Sequence, residues 1–399
     1  MKNRWIVLTA GIIIQTILGG IYAWSIFVTP LTENYGLSKG QCGMVFGTTI
    51  AVFTVAMIFA GRLLATKGPR LTALIGGVLF LAGYLVASAS NGNYAVLLLG
   101  IGCLSGAGIG FGYVCPLTVG VQWFPNRKGL VTGVSVAGFG GGGVLLIFIA
   151  TFFLNQGMNV LKFFMWFGLV AGTLLILASL LLTTPSRKKD ATVTQAGLSE
   201  ILSAPFLICL FGIFTGTFSG LLVIGNLRPI IEDGGLSTAV AATAVSIFAV
   251  GNAFGRILWG FLFDRIRYVS IPASLGCFAV VLFLLSMTSH PVIVLTCTAV
   301  LGFGFGANFV IYASTLSSHF AVTSFPRLYP ICFLGYGLAG ITGPQIGGFL
   351  ADKTGTYDVA LYLSIGMVAV ATLITAIGLK AFTKTPTEDE EPLVAPAED

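Results

Sequence analysis

One formal charge stands deep inside the long apolar runs of this sequence, Arg256. The fourteen acidic residues all fall near run ends, in connecting segments or in the C-terminal tail, so the chain offers no carboxylate to pair with it in an apolar interior. A buried guanidinium costs roughly 3 kcal/mol on insertion scales unless something pairs with it. A carboxylate suits it best, gripped through two parallel hydrogen bonds. One cation without a second argues for a monoanion over a dianion. Asn252 lies one turn earlier on the same helical face, where its amide can donate to or accept from a carboxylate or a hydroxyl. Plainer readings stand beside these: Arg256, about 8 residues or ~12 Å from the level of Asp264, could snorkel toward that end, and Asn252 could pair with another helix. Geometry argues against snorkelling. Helical side chains lean toward the helix N-terminus, which aims Arg256 at the middle of its run.

Other chemistries find little to work with. His290 and His319 are the two histidines, and the seven cysteines form no CxxC pair. No metal or cofactor site and no nucleophile–base cluster is expected, so the chain is not read as an enzyme. Only 9% of residues are charged and 56% are hydrophobic, whereas soluble domains carry about a quarter charged residues. The 20 basic and 14 acidic residues are too scattered for a nucleic-acid footprint. The expected surroundings are a lipid bilayer.

The elements that must carry Arg256 follow from length. A helix crossing hydrocarbon needs about 20 mostly apolar residues. Runs that meet this are 5–29, 43–64, 71–90, 94–121, 129–154, 162–183, 205–231, 238–262, 270–289, 291–318, 328–350 and 358–379. Alternation suited to a β-barrel is absent. The expectation is an all-α membrane protein with twelve transmembrane helices in two pseudo-symmetric six-helix bundles. Met1-Lys2-Asn3-Arg4 before an apolar run imitates a signal peptide, but the run is too long and lacks a small-residue cleavage site. With the N-terminus inside, fifteen of the twenty basic residues fall on the cytoplasmic side, which places both termini in the cytoplasm and the chain in the cell (inner) membrane. The division is 1–184 for the first bundle, 185–204 for a linker, 205–382 for the second bundle and 383–399 for an acidic tail.

The halves repeat one another. Residues 29–38 (TPLTENYGLS) align with 228–237 (RPIIEDGGLS), and the same offset sets Gly61 on Gly260; Phe124-Pro125 matches Phe325-Pro326. Parallel repeats of this kind build transporters with a midplane site between the halves. Gly260-Phe-Leu-Phe-Asp264-Arg265 after the eighth span resembles the loop signature of the major facilitator superfamily. Gly61-Arg62-Leu63-Leu64-Ala65-Thr66-Lys67-Gly68 after the second is similar, with Ala65 where that family usually has Asp. The resemblance implies that Asp264, with Arg265, latches one half against the other; a mere helix end at the interface is the plainer reading.

Asn252-x-x-x-Arg256 resembles the Asp-x-x-x-Arg pair of monocarboxylate transporters, with Asn for Asp. Oxalate–formate exchangers are similar at Arg256 but add a lysine on the eleventh helix, where Tyr336 stands here. The chain therefore looks like a bacterial monocarboxylate transporter of the lactate type. The resemblance implies secondary transport of a small monocarboxylate such as L-lactate or pyruvate by alternating access. Proton symport is the first expectation and obligatory anion exchange the alternative, with a monomer as the expected assembly. It also implies that helices 1, 4, 7 and 10 line the cavity. Their polar residues are Gln15 and Tyr22, Tyr113, Asn226, and Asn308 and Tyr312; interhelical packing or an interfacial aromatic belt would account for them equally. Arg228, with Glu232 one turn on, reads as an interface ion pair or as an outer gate attracting anions.

Overall fold

A chain in hydrocarbon has no water to satisfy its backbone, so each span must close its hydrogen bonds within itself. The computed structural model describes residues 4–37, 39–185, 198–321 and 323–382. Twelve long helices follow one another there. The first six are α1 (Arg4–Leu18, prolonged by a 3-10 turn, Gly19–Ala23, and a helix, Ser25–Tyr35), α2 (Lys39–Lys67), α3 (Pro69–Ser88), α4 (Tyr94–Trp123), α5 (Lys128–Asn155) and α6 (Val160–Leu181). The second six are α7 (Ala204–Gly225), α8 (Thr238–Ile266), α9 (Ser270–Ser286), α10 (Pro291–His319), α11 (Phe325–Thr354) and α12 (Asp358–Gly378). Among the described residues, ten continuous stretches are long and apolar enough to cross a bilayer. One of them, Ala239–Ser286, contains both α8 and α9, and α11, rich in Gly and Pro, is the twelfth long helix. No strand occurs among the described residues. Residues 186–197 of the linker, the acidic tail 383–399 and Ser38 of the repeat lie outside the described residues.

Local signals set the ends. Pro69, Pro205, Pro291 and Pro326 open their helices where a missing N–H costs nothing. Asn93, Asn159 and Ser237 cap α4, α6 and α8 by accepting from backbone N–H groups of the first turn. Gly68, at φ 85°, makes the turn between α2 and α3 in a conformation that side chains disfavour. Two runs are less regular than their apolar pattern suggests. The first changes pitch at Gly19 and Gly20, poor helix formers, where the Phe139 carbonyl of α5 lies against Gly19. The fourth contains a π-helical segment, Leu98–Ser105, where Gly83 and Gly100 let α3 and α4 back onto each other.

Packing sorts the helices into α1–α6 and α7–α12. In the first group α3 lies on α6 and α2 on α4; in the second α8 lies on α10, α7 on α11 and α9 on α12. The groups meet along α5–α8, α2–α11 and α5–α10. Arg4 sits over the Phe124 ring, beside the α4–α5 turn, and Phe382 stacks on Tyr268 at the α8–α9 turn. Both ends of the described chain therefore share one face of the bundle, the terminal face. Large apolar residues such as Phe148, Trp166, Phe254 and Ile377 are exposed on the outside, the surface that a bilayer covers.

Candidate functional site

Asn252 and Arg256 lie on the stretch of α8 that crosses both α5 and α10. Close approach there depends on missing side chains. A Cβ at Gly306 of α10 would meet the Asn252 carbonyl and, at 3.0 Å, the Arg256 nitrogen; one at Gly140 of α5 would sit 3.3 Å from Arg256 Nε. Arg256 is fully buried. Its Nε donates to Asn252 Oδ1 at 3.2 Å, so the side chain does extend toward the N-terminal end of α8. Nη1 donates to the Val136 carbonyl of α5 at 2.8 Å, a bond across the two groups of helices. The guanidinium carbon lies 4.4 Å from the centre of the Phe309 ring, a cation–π contact from α10. Nη2 has no hydrogen-bond partner among the described residues. The cation is thus held by an amide, a carbonyl and a ring face, all uncharged.

Aromatic rings pack beside it at the junction of the two groups. Tyr113 of α4 is buried, with its ring 5.0 Å from Phe139, 5.2 Å from Phe53 and 5.4 Å from Phe333 of α11. Its hydroxyl meets that of Tyr329 of α11. Tyr22 and Tyr336 share a hydroxyl–hydroxyl bond of 3.2 Å that joins α1 to α11. Gln15 donates to the Tyr113 carbonyl at 3.1 Å and so pins α1 to α4.

The other expected residues turn elsewhere. Asn308 and Tyr312, one turn apart on α10, pack against Gly216 and Gly212 of α7. Phe309, next in sequence to Asn308, is the residue of that helix that meets Arg256. Asn226 donates to the Leu222 and Pro344 carbonyls and accepts from Tyr357, which ties α7 to α11 and α12. Arg228 pairs with Glu232 at 2.9 Å in an exposed i,i+4 ion pair, a kind worth little in stability.

At the terminal face, the Asp264 carboxylate accepts from Gly129 N and Leu130 N, each at 2.9 Å, which places a negative charge on the N-terminus of α5. Arg265 lies over its own helix's Phe261 ring, 4.3 Å away, and is exposed. Sequence reasoning missed Val136, Phe309 and Tyr329. A backbone carbonyl leaves no mark in a sequence; the marks that existed were Gly133 and Gly140, spaced for a helix crossing on either side of Val136.

A family description, the Major Facilitator Superfamily, matches residues 8–321 and 218–398. The chain belongs to the Major Facilitator Superfamily. The oxalate:formate antiporter of Oxalobacter formigenes is 28% identical over 388 residues, which cover 94% of this chain and 92% of that protein. Monocarboxylate transporter 11 of Homo sapiens is 24% identical, over 93% of this chain and 82% of that one. The crystal structure of the E. coli fucose:proton symporter matches with a TM-score of 0.74 at 13% identity, over 94% of this chain and 99% of that chain. That likeness speaks for the fold. As a member of the superfamily, whose relatives here are transporters, this chain is a multi-pass membrane protein that moves a small molecule.

Proposed function

We propose that this superfamily member is a secondary transporter of small monocarboxylates such as L-lactate or pyruvate, with Arg256 gripping the carboxylate. One observation carries the reading. Among the described residues, the single cation in the interior is fully buried, surrounded by uncharged partners, and keeps an unpartnered Nη2. A monoanion completes both its charge and its hydrogen bonds. Asn252 holds the guanidinium in place, and Tyr113 offers a hydroxyl to the rest of the molecule. The similarity to an oxalate:formate antiporter and a monocarboxylate transporter supports an organic carboxylate as cargo. The basic residues gathered at the terminal face support a cytoplasmic location for both termini, in the inner membrane of the cell.

Movement alternates between faces as the two groups of helices rock about the site. Proton symport makes transfer of the anion electroneutral. A second reading, obligatory anion exchange, is favoured by the absence of any acidic residue deep in the spans and by the antiporter relative. Uptake of labelled L-lactate into proteoliposomes separates the two. Accumulation driven by an inward proton gradient, without internal anion, is the symport outcome; uptake only after preloading with a carboxylate is the exchange outcome. Arg256→Gln removes a charge-assisted bond worth roughly 1.5–3 kcal/mol, so uptake should fall by about ten- to a hundred-fold. Wild-type rates in that variant, at equal amounts of inserted protein, would sink the proposal.

A further inference from the structure

A crevice of about 680 Å³ opens on the outside of the bundle, where α2 of the first group meets α7 and α11 of the second. Glycines make room for it. Gly337 of α11 lies against the Thr54 side chain of α2, and Gly335 against Ile213 and the Leu210 carbonyl of α7. Val55, Leu207, Leu338 and Ile341 line it and stay about half exposed, so its mouth is apolar and faces outward. Toward the terminal face the same helix faces end in charge. Arg62 follows Ala51 and Val55 by eleven and seven residues on α2, and Arg327 precedes Leu334 and Leu338 by seven and eleven on α11. Each arginine therefore stands about 10 Å beyond the apolar lining. The two belong to opposite groups and are neighbours, because Arg62 follows Gly61 and Arg327 follows Pro326, whose backbones touch.

Neither guanidinium pairs with an acid among the described residues, and Arg327 Nε, shielded from solvent, has no hydrogen-bond partner there. The carboxylate at the start of α11, Glu200, is already engaged by Ser324 Oγ. Like charges gathered where two helices touch repel each other unless an anion lies between them. A phosphate diester fits that place, since a guanidinium can grip two of its oxygens at once. An apolar slot below a pair of cations has the outline of one lipid, tail and headgroup together. We infer that the α2–α7–α11 crevice docks an anionic phospholipid from the leaflet at the terminal face, its acyl chain in the slot and its phosphate bridging Arg62 and Arg327. The lipid supplies the negative charge that Ala65 leaves out of the α2–α11 side. Because the arginines belong to different halves, it joins them only while this face is closed, and so favours the closed state. The site lies on the outside of the bundle, apart from Arg256, and does not depend on what the cargo is.

The test is titration of the solubilised protein with phosphatidylglycerol, phosphatidylcholine and inorganic phosphate, the first bound lipid being followed by native mass spectrometry. Each basic residue beside an anionic headgroup is worth a factor of about five. Wild type should therefore prefer phosphatidylglycerol to phosphatidylcholine by roughly thirtyfold. Arg62→Gln and Arg327→Gln should each lose about fivefold of that preference, and the double variant all of it. Phosphatidylcholine binding, unchanged in these variants, is their folding control. Ala51→Phe fills the slot and leaves both arginines in place, so it should weaken the two lipids alike, by about tenfold, and keep the preference. A wild type without the preference, or a double variant that retains it, would overturn the inference. A loss confined to one arginine would show that the lipid does not bridge the halves. Full binding in Ala51→Phe would take the acyl chain out of the crevice, and displacement of the lipid by inorganic phosphate would make this a site for a free anion; either result also overturns it.

Discussion

The two helix pairs that join the halves, α5–α8 and α2–α11, descend from the same place in the repeat but are built differently. At α5–α8, Gly129 and Gly133 face Gly260, so the two backbones touch, and Asp264 caps the free amides of Gly129 and Leu130. At α2–α11, Gly61 keeps the close approach, against the carbonyl of Pro326 and the ring of Pro330. Ala65 stands where Asp264 stands in the other pair. By the Phe-Pro match, Pro330 occupies the place of Gly129. Acceptor and donor have therefore both gone, because proline has no N–H. The same missing N–H leaves the Pro326 carbonyl without its i+4 donor, and that carbonyl is the one that faces Gly61. A carboxylate–amide contact on one side is matched on the other by the close packing of Gly61 against Pro326 and Pro330. The start of α11 meets a carboxylate from the linker instead: Ser324 Oγ donates to Glu200 at 3.0 Å.

The largest effects should come from wedging these approaches apart. Gly260→Val and Gly61→Val each drive a side chain into facing backbone, which cannot yield as a flexible side chain would. Overpacking costs about 1–3 kcal/mol, and here it acts on the terminal face when that face is closed. Uptake should drop by roughly tenfold or more in both variants, and spin labels placed across the terminal face should report longer distances. A silent Gly61→Val would show that the α2–α11 approach does not bear on the closed state. Asp264→Ala comes next. It removes a carboxylate from a helix N-terminus along with two backbone bonds, about 1–2 kcal/mol in all. The balance between closed and open terminal face should then shift by roughly five- to thirty-fold, read in the same label distances. An unchanged distribution would reduce Asp264 to an ordinary helix end.

Sequence alone carried the twelve helices, the repeat and the Asn252–Arg256 pair, because apolar length and i,i+4 spacing are properties of the chain itself. It placed Asn308 and Tyr312 by depth, and depth says nothing of direction around a helix. On α10 those two face α7, whereas Phe309, one of 32 phenylalanines in the chain, faces Arg256. Glycines are the guide to that direction. Gly302 and Gly306 pack against α8, which fixes the orientation of α10 and with it the residue that meets the guanidinium. The Val136 carbonyl was out of reach in principle, since every residue carries one. Tyr329 lay in plain view four residues after Phe325, in the run 328–350.

The smallest expected effect is also the sharpest test of the comparison. Ala65→Asp restores the acidic residue that the repeat lacks. If a carboxylate were all that the α2–α11 side had lost, this variant would tighten the closed face and would compensate for Asp264→Ala. The structure argues otherwise. Gly129 and Leu130 offer their amides because α5 begins at Lys128, whereas α11 begins at Phe325 and has completed its first turn by Pro330. At that point one residue has no N–H and the next is in the helical ladder, so a carboxylate at position 65 finds no free donor. Ala65→Asp should therefore change uptake by less than about fivefold, an unpaired surface charge near a helix end being worth about 1 kcal/mol at most. In the Asp264→Ala background it should restore nothing, and label distances that return to the wild-type distribution would show that both sides can be latched by charge.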